Sequence, residues 1–400
     1  NSFLTKIIVE EPNNLFNYCN LGYQTYYNAQ EEIDLIEKLY FEANMIISCI
    51  DKELFSLGYF GSLKEKKMER SEYRIELPSK NISVIMLLSR EFRLNAQHIK
   101  EKAMKRKDIR IRDPFVLPLQ DEKRYCLYGT TDSDPWKAPG IGFDAYTSED
   151  LEDWEGPYPV FRPQMGFWAS HNFWAPEVYK YRESYYMFAS FKSPEHERAT
   201  QILRATVPFG PFLVHSNEPV TPSGWECLDG TFWEEEGQPW LVFSREWIEV
   251  NDGEIWAAPL SIDLDRLEAE PILLFRGSDA SWTKKMKRRD GSGLEDARVT
   301  DGPFLYRSKS GTLFMLWSSI GESGYAMGYA RSQSGKLIGP WLQESKPLVE
   351  GGRGHGMIFC GLDEKTYLAY HFPNETPYER FHYREIELSD SNIVLIGEEL

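Results

Sequence analysis

The N-terminal part of the chain combines a helical pattern of apolar residues with an alternating one. Over residues 29–57, apolar residues recur at the spacing of one helix face. Residues 75–93 indicate one or two strands around a turn at residues 78–81, and residues 95–107 are typical of a short basic helix or linker. We therefore predict a small α+β accessory domain of unknown role over residues 1–110.

From about residue 110 onward, the pattern changes to short strands rich in aromatic residues, and it repeats. Each of five units opens with a polar residue beside Gly or Pro, continues into an apolar strand, turns, and enters a second strand rich in Tyr, Phe or Trp. The opening residues are Asp113, Asn172, Asp229, Asp301 and His355. Units of this kind are typical of a β-propeller, so we predict an all-β five-bladed propeller over residues 111–400.

The opening residues are expected to meet at one axis, because the first strand of each propeller blade lines the central channel. Three carboxylates would then be crowded together, which raises the pKa of at least one of them. Hydrolysis of a glycosidic bond uses such a set, since one carboxylate activates water and one protonated carboxyl protonates the leaving oxygen. An aspartate before Pro or Gly is also common in turns. The coincidence of Asp113, Asp229 and Asp301 favours the catalytic interpretation.

The composition supports this division and excludes two classes of partner. All 12 Trp lie at or after Trp136, and residues 1–112 carry a net charge of +2 against −19 for the rest. A formal charge of −17 argues against a nucleic-acid partner, because phosphate binding needs a basic face. No run of about 20 apolar residues is present, so we expect no membrane span.

The cysteines bear on the cellular compartment. There are five of them, too few and too irregularly spaced for a disulfide framework or a zinc site. The chain also starts without a signal-like segment. We therefore predict reduced thiols and a cytoplasmic protein, although a secreted protein whose signal peptide has been removed would look the same. The sequence does not indicate an oligomeric state.

The second part of the chain resembles glycoside hydrolase family 43, the inverting five-bladed enzymes of the arabinofuranosidase, xylosidase and arabinanase group. The resemblance rests on the order of the phrases "RDPF", "NFWAPEVYKYRESYYMF", "LDGTFWEEEGQPWLVF", "TDGPFLYRSKSGTLFMLW" and "GGRGHGMIF". It implies that Asp113 is the general base and that Asp229 tunes the pKa and orientation of the acid. It also implies that His355 is an axial histidine that helps to hold a central water or a hard cation such as calcium, and that no cofactor is required.

One departure from the family concerns the general acid, which is usually Glu where this chain has Asp301. Asp is one methylene shorter, roughly 1.5 Å less reach, and a misplacement of about that size can cost about 100-fold in rate. Three interpretations are open. Asp301 is the acid and the substrate sits closer; another carboxyl, Glu295 or Asp296 on a loop or the channel-facing Glu177, replaces it; or the propeller binds carbohydrate and cuts weakly or not at all.

A minor alternative is a glycoside phosphorylase. The phrase "GLEDARVT" is similar to one in the mannoside phosphorylases of another five-bladed family, which use an Asp acid. Such an enzyme would need a basic phosphate site.

Sugar-binding sites pair aromatic platforms with carboxylates and amides. The candidates that flank the opening residues are Trp168, His171, Asn172, Trp174 and Phe232, and we favour Trp168 as the platform. The sequence therefore predicts an inverting, exo-acting hydrolase of plant or microbial polysaccharide. The expected substrates are α-L-arabinofuranosides or β-D-xylosides, with galactofuranosides and galactosides as further options.

Overall fold

The structure, a computed structural model, describes residues 104–286 and 297–397, together with the backbone of two strands, β1 (Glu72–Leu77) and β2 (Ile82–Leu87). These two strands pair antiparallel on either side of the predicted turn. The rest of the predicted α+β domain lies outside the described residues. That domain and its boundary near residue 110 therefore stay predictions.

The chain from residue 104 onward forms the predicted five-bladed propeller, with one antiparallel sheet for each blade. Blade 1 contains β3 (Met104–Lys105), β4 (Arg112–Leu119), β5 (Arg124–Thr130), β6 (Phe143–Ser148) and β7 (Asp153–Phe161). Blade 2 contains β8 (His171–Tyr181), β9 (Ser184–Ser193), β10 (His196–Ala205) and β11 (Leu213–Val214). Blade 3 contains β12 (Cys227–Glu235), β13 (Gln238–Arg245), β14 (Glu254–Pro259) and β15 (Ile272–Arg276). Blade 4 contains β16 (Asp301–Arg307), β17 (Leu313–Gly321), β18 (Gly324–Ser332) and β19 (Trp341–Gln343). Blade 5 contains β20 (Gly354–Cys360), β21 (Thr366–Phe372), β22 (Arg380–Leu388) and β23 (Ile393–Leu395).

Helix is a minor component of the described part. It comprises a four-residue α-helix, α1 (Trp247–Val250), and 3₁₀ turns at Arg106–Asp108 and Gly277–Asp279. Of the segment predicted to be a short basic helix or linker, residues 95–107, only the last four are described. Met104–Lys105 form β3, which pairs with β7 at the outer edge of blade 1, and Arg106 begins a 3₁₀ turn. An ion pair between Lys105 and Asp153 explains how basic residues are accommodated at this edge.

The aromatic strands are explained by burial on both faces of each blade. A blade packs between two neighbouring sheets, so its strands read as nearly continuous apolar runs. Among the largest fully buried side chains are Trp154, Trp317, Tyr128 and Tyr370. Aromatic rings therefore fill the space between the blades.

Blade 5 closes the ring against blade 1 at what we call the seam. The N–H of Ile111 donates to the carbonyl of Glu379 at 3.2 Å, and Nη1 of Arg112 donates to Oε1 of Glu379 at 2.9 Å. The side chain of Glu379 is fully buried. A buried carboxylate needs a paired charge, so this ion pair holds the first and last blades together.

Two further sequence expectations concern cysteines and membranes. Cys126, Cys227 and Cys360 form no disulfide among the described residues, and the other two cysteines lie outside them, so the reduced state of the thiols stays a prediction. Within the described part, no helix is long and apolar enough to cross a membrane.

Candidate active site

The first strand of every blade carries a β-bulge at the same place. Two residues of that strand oppose a single residue of the second strand, and the first of the two has a φ between 45° and 55°. These five bulge residues are Asp113, Ala175, Asp229, Gly302 and His355. Bulges re-aim side chains at the rims of barrels and beside active sites. The five positions form a ring around the propeller axis, which we call the axial ring.

The axial ring corrects two of the predicted opening residues. Asp301 lies one residue before its bulge, and Gly302 takes the ring position. Asn172 lies at an additional bulge of blade 2, and Ala175, three residues later, takes the ring position. Both errors have the same cause, because a bulge changes the strand register by one residue without a clear mark in the sequence.

A repeated hydrogen bond ties each bulge to the preceding blade. In four cases the bulge N–H donates to a side chain near the end of the neighbouring second strand. The pairs are Ala175 with Thr130 Oγ1 at 2.9 Å, Asp229 with Ser190 Oγ at 2.8 Å, His355 with Ser318 Oγ at 2.8 Å, and Asp113 with His371 Nδ1 at 3.2 Å. These bonds satisfy buried backbone donors and so hold the bulges in one conformation.

The fifth bulge, at Gly302, is tied to the preceding blade by a different hydrogen bond, and this bond orients the carboxylate of Asp229. The N–H of Gly302 donates to Oδ2 of Asp229 at 2.9 Å. Ser244, which occupies the position equivalent to Ser318, has no hydrogen-bond partner for its hydroxyl among the residues that the structure describes. A Cβ at Gly302 would lie 2.9 Å from Cδ2 of His355, so only glycine allows the backbone to pass so close to that ring.

Asp113 is a buried carboxylate surrounded by groups that favour its charge. Thr130 Oγ1 donates to its Oδ2 at 2.8 Å, and Arg112 Nε lies 4.0 Å from the same oxygen. Nδ1 of His355 and Nδ1 of His371 lie 3.3 and 3.4 Å from its Oδ1. Burial raises the pKa of a carboxyl, but His355, the Arg112 guanidinium and the Thr130 hydroxyl outweigh it and lower the pKa of Asp113 to about 2. Asp113 is therefore ionised at neutral pH.

The pKa values of Asp229 and Asp301 are shifted in the opposite direction, upward. Burial and the charge of Asp113 raise the pKa of Asp229, and burial and the charge of Asp229 raise the pKa of Asp301. The hydroxyl of Tyr325 donates to Oδ2 of Asp301 at 3.1 Å and fixes that carboxyl. The site thus places the ionised carboxylate of Asp113 beside two carboxyls, Asp229 and Asp301, that together retain a proton. This is the division of protonation that acid–base catalysis requires.

His371 is a functional residue that the sequence analysis missed. Burial and the nearby Arg112 lower its pKa to about 3, so the ring is neutral. Its Nδ1 accepts the N–H of Asp113, which leaves the proton on Nε2, 3.2 Å from Oδ1 of Asn374. Tyr325 stacks on it with an interplanar angle of 17°. His371 therefore connects the surroundings of Asp113 to those of Asp301.

A signal for the missed residues was present in the repeats. Thr130 and His371 occupy the same place in their units as Ser190 and Ser318, near the end of the second strand. A polar residue at one place in every unit, within otherwise apolar strands, indicates a shared polar contact. Tyr325 lies in a third strand and carries no such signal.

Glu177 faces the channel, as predicted, two residues further along its strand than the axial ring. Tyr179 donates its hydroxyl to Oε2 of Glu177 at 2.6 Å. Burial raises the pKa of Glu177 to about 7. The corresponding positions of other blades include Phe115 and Phe304, so this carboxyl belongs to a largely apolar layer of the channel.

Two tryptophans and two arginines line the site on the side of blades 1 and 2. Trp174 precedes the axial ring, and Trp136 comes from the loop between β5 and β6; their ring centroids are 5.0 Å apart. The guanidinium of Arg198 lies 4.2 Å from the ring centroid of Trp174, and that of Arg112 lies 4.9 Å from that of Trp136. Arg198 forms an ion pair with the buried Glu246.

The structure does not bring Trp168 into this group. Its Nε1 donates to Oε1 of Gln201 in the third strand of blade 2 at 2.9 Å, and its ring lies 4.7 Å from that of His196. Phe232 is likewise a core residue, packed against Tyr179. Alternation along β12 turns Phe232 away from the channel. The structure thus places Trp168 and Phe232 outside the group around Trp174, and their contact with substrate stays a prediction.

His171 and Asn172 also have internal partners. Nδ2 of Asn172 donates to the carbonyl of Pro135 at 3.1 Å, and its Oδ1 accepts from Nη2 of Arg198 at 3.2 Å. Nδ1 of His171 lies 2.8 Å from Oγ of Ser170. Asn172 thus fastens the loop of Trp136 to blade 2.

Two expectations about the acid and the metal remain. Glu295 and Asp296 lie outside the described residues, so a loop acid stays a prediction. Residues 104–286 and 297–397 contain no group of three or more His, Cys, Asp or Glu side chains arranged to hold a metal ion, and an axial calcium has no support. Nδ1 of His355 instead lies 3.3 Å from Asp113 Oδ1 and 3.7 Å from Asp229 Oδ2.

A five-bladed propeller with ionised and protonated carboxyls at its axis has the arrangement that hydrolysis of a glycosidic bond requires, and comparison with known proteins identifies the family. The model of glycosyl hydrolases family 43 matches residues 108–389. The chain therefore belongs to glycoside hydrolase family 43 and is an inverting glycoside hydrolase, as the sequence predicted.

The relatives include enzymes that act on two polysaccharides. The crystal structure of an endo-arabinase from Bacteroides thetaiotaomicron VPI-5482 is 38% identical, with a TM-score of 0.67, over 73% of this chain and 99% of that one. An endo-1,4-beta-xylanase from the same organism is 25% identical, with a TM-score of 0.58, over 74% of this chain and 97% of that one. The extracellular endo-alpha-(1->5)-L-arabinanase 1 of Bacillus subtilis (strain 168) is 21% identical over 239 residues, 54% of this chain and 67% of that protein.

Proposed function

We propose that this chain cleaves α-L-arabinofuranosidic linkages within arabinan, and that Asp113, Asp229 and Asp301 perform the chemistry. The observation that carries the proposal is the opposite protonation of neighbouring carboxyls. The pKa of Asp113 is lowered to about 2, whereas those of Asp229 and Asp301 are raised. An inverting glycosidase needs one ionised and one protonated carboxyl at the same pH.

In the proposed reaction, Asp113 removes a proton from a water molecule while the water oxygen bonds to the anomeric carbon. The bond from that carbon to the leaving oxygen breaks, and Asp301 gives its proton to the leaving oxygen. The charge of Asp229 keeps the proton on Asp301 until that moment, and Tyr325 holds the carboxyl in place. Because aspartate is shorter than glutamate, the leaving oxygen must lie closer to β16 than a glutamate would require.

The sugar and the mode of attack are proposed from the relatives. The endo-arabinase that is 38% identical over 99% of its length is the main support for arabinan. The name of the Bacillus subtilis relative specifies the α-(1→5) linkage. All three relatives have endo in their names, so we propose internal cleavage in place of exo-action. The xylanase relative makes β-1,4-xylan the second candidate.

The test compares the wild type with Asp113→Asn on linear α-1,5-arabinan and β-1,4-xylan. We expect the wild type to release a ladder of arabino-oligosaccharides, with the inverted anomer as the first product by NMR. Loss of a general base should slow the variant by about 100- to 10,000-fold. Asp144→Asn is the matched control, because Asp144 pairs with Arg162 away from the axial ring.

Each other outcome contradicts a specific part of the proposal. Release of single arabinose units from the start would refute internal cleavage. Hydrolysis of xylan alone would refute the substrate. Full activity in Asp113→Asn would refute the role of the base, and folded wild-type protein that cleaves neither polymer would refute the function.

A further inference from the structure

The geometry points to Trp136 as a sugar-binding platform for a unit of the substrate chain beside the one whose bond is cleaved. This inference rests on the proposed hydrolysis of a glycan. Trp136 is 48% exposed, although it is one of the largest apolar side chains of the molecule. An exposed aromatic ring that is held in one orientation can stack on a ligand.

The ring of Trp136 is fixed from three directions. Its Nε1 donates to Oγ1 of Thr376 at 3.0 Å, Arg112 lies over its face, and Trp174 meets it nearly edge-on at an interplanar angle of 67°. Thr376 and Arg112 both donate to Oε1 of the buried Glu379. The orientation of the ring is therefore set by the seam.

The loop that carries Trp136 is also bound to its neighbours. Oδ1 of Asp134 accepts the N–H groups of Trp136 and Lys137, each at 3.2 Å. The carbonyl of Pro135 accepts a hydrogen bond from Nε1 of Trp174 at 2.6 Å. Blade 2 thus holds the backbone of the loop while blade 5 holds the ring. A binding group that is ordered in advance loses little entropy when the ligand arrives.

The place of the ring in the site indicates what it binds. Trp174 and Asp301 both lie one residue before their axial-ring positions, and Trp136 is the next ring outward from Trp174. Arg112 lies over one face of Trp136, and the side chain is still 48% exposed, so part of it is accessible to a ligand. Sugars present apolar C–H faces that stack on aromatic rings, so a neutral glycan chain that extends from the carboxyls would place a sugar unit there.

The alternative is that Trp136 has only a structural role and covers Arg112 and Trp174. The affinity for oligosaccharides of increasing length separates the two roles. Isothermal titration uses Asp113→Asn, whose turnover is strongly slowed, with α-1,5-arabino-oligosaccharides and β-1,4-xylo-oligosaccharides of two to five units. Adding Trp136→Ala should weaken binding by about tenfold for chains that reach the ring, and Trp136→Phe should restore most of it. Trp225→Ala is the matched control, because Trp225 is also stacked by an arginine, 3.8 Å away, but packs on Trp256.

The outcomes distinguish the platform from the proposed substrate. No loss of affinity in Trp136→Ala, or an equal loss at every chain length, would overturn the platform even if arabinan is cleaved. A length-dependent loss on xylo-oligosaccharides alone would support the platform and overturn arabinan. Binding of neither series would overturn both. If Trp136→Ala does not fold, Thr376→Val frees the ring instead, and unchanged affinity for the longest chains would then overturn the platform.

Discussion

Replacing Gly302 with alanine should lower both the catalytic rate and the stability of the fold. The backbone there has a φ of +52°, and an added Cβ would lie 2.9 Å from Cδ2 and 3.1 Å from Nδ1 of His355. A residue with a side chain costs about 1–2 kcal/mol in this left-handed conformation. Ordinary contact begins near 3.4 Å, so the His355 ring or the backbone must move by about 0.5 Å in a close-packed interior.

That movement would directly change the positions of the catalytic carboxyls relative to His355 and Gly302. His355 Nδ1 lies 3.3 Å from Oδ1 of Asp113, and the N–H of Gly302 donates to Asp229. A displacement of about 1 Å can cost about 100-fold in rate, so half of that corresponds to roughly tenfold. We therefore expect Gly302→Ala to lower kcat/KM by about tenfold or more, and to lower the free energy of unfolding by about 2–5 kcal/mol once overpacking is added.

Gly237→Ala is the matched control. Gly237 has a φ of +82° in the turn between β12 and β13, and nothing lies within 4 Å of an added Cβ. The Gly237→Ala variant should lose about 1–2 kcal/mol of stability and retain the kcat/KM of the wild type. Urea unfolding and initial rates on the glycan that the wild type cleaves give both quantities. Equal kcat/KM for the two variants would refute the view that the close approach of Gly302 to His355 positions the catalytic carboxyls.

Three further variants test the electrostatics through pH profiles of kcat/KM. Thr130→Val removes a hydrogen bond that lowers the pKa of Asp113, so the pKa should rise from about 2 and the acid limb should move to higher pH; an unmoved acid limb would argue against Asp113 as the base. Asp229→Asn removes the charge that raises the pKa of Asp301, so the alkaline limb should move to lower pH. Tyr325→Phe removes a hydrogen bond that lowers the same pKa, so the alkaline limb should move to higher pH while kcat falls. Shifts of the same sign in these last two variants would contradict Asp301 as the acid.

The number of blades and the class of chemistry could be predicted from the sequence, because both depend on features that repeat. Aromatic strand pairs recur in every unit, and acidic residues recur at their openings. The register could not be predicted. The extra bulge of blade 2 displaces Asn172 from the axial ring, and Asp301 falls one residue short of it. A bulge depends on long-range pairing rather than on local composition.

The substrate-facing aromatics show a second limit. Trp168 and Phe232 flank the opening residues in sequence, but both pack into blades. Trp136 lies in a loop more than twenty residues from any opening carboxylate in the chain, and reaches the site because its partners come from blades 2 and 5. Strand alternation predicts which residues share a face. It does not predict which loop lies over the opening of the channel, because that depends on contacts between blades.

The seam has a consequence for how this enzyme is made on the ribosome. The N–H of Asp113 is bonded to His371, 258 residues later in the chain, and His355 also follows late. Until those residues have been synthesised and blade 5 has docked, Asp113 lacks the His355 imidazole that helps to lower its pKa and the hydrogen bond from its N–H to His371. We therefore expect a chain that ends before blade 5 to have no catalytic activity.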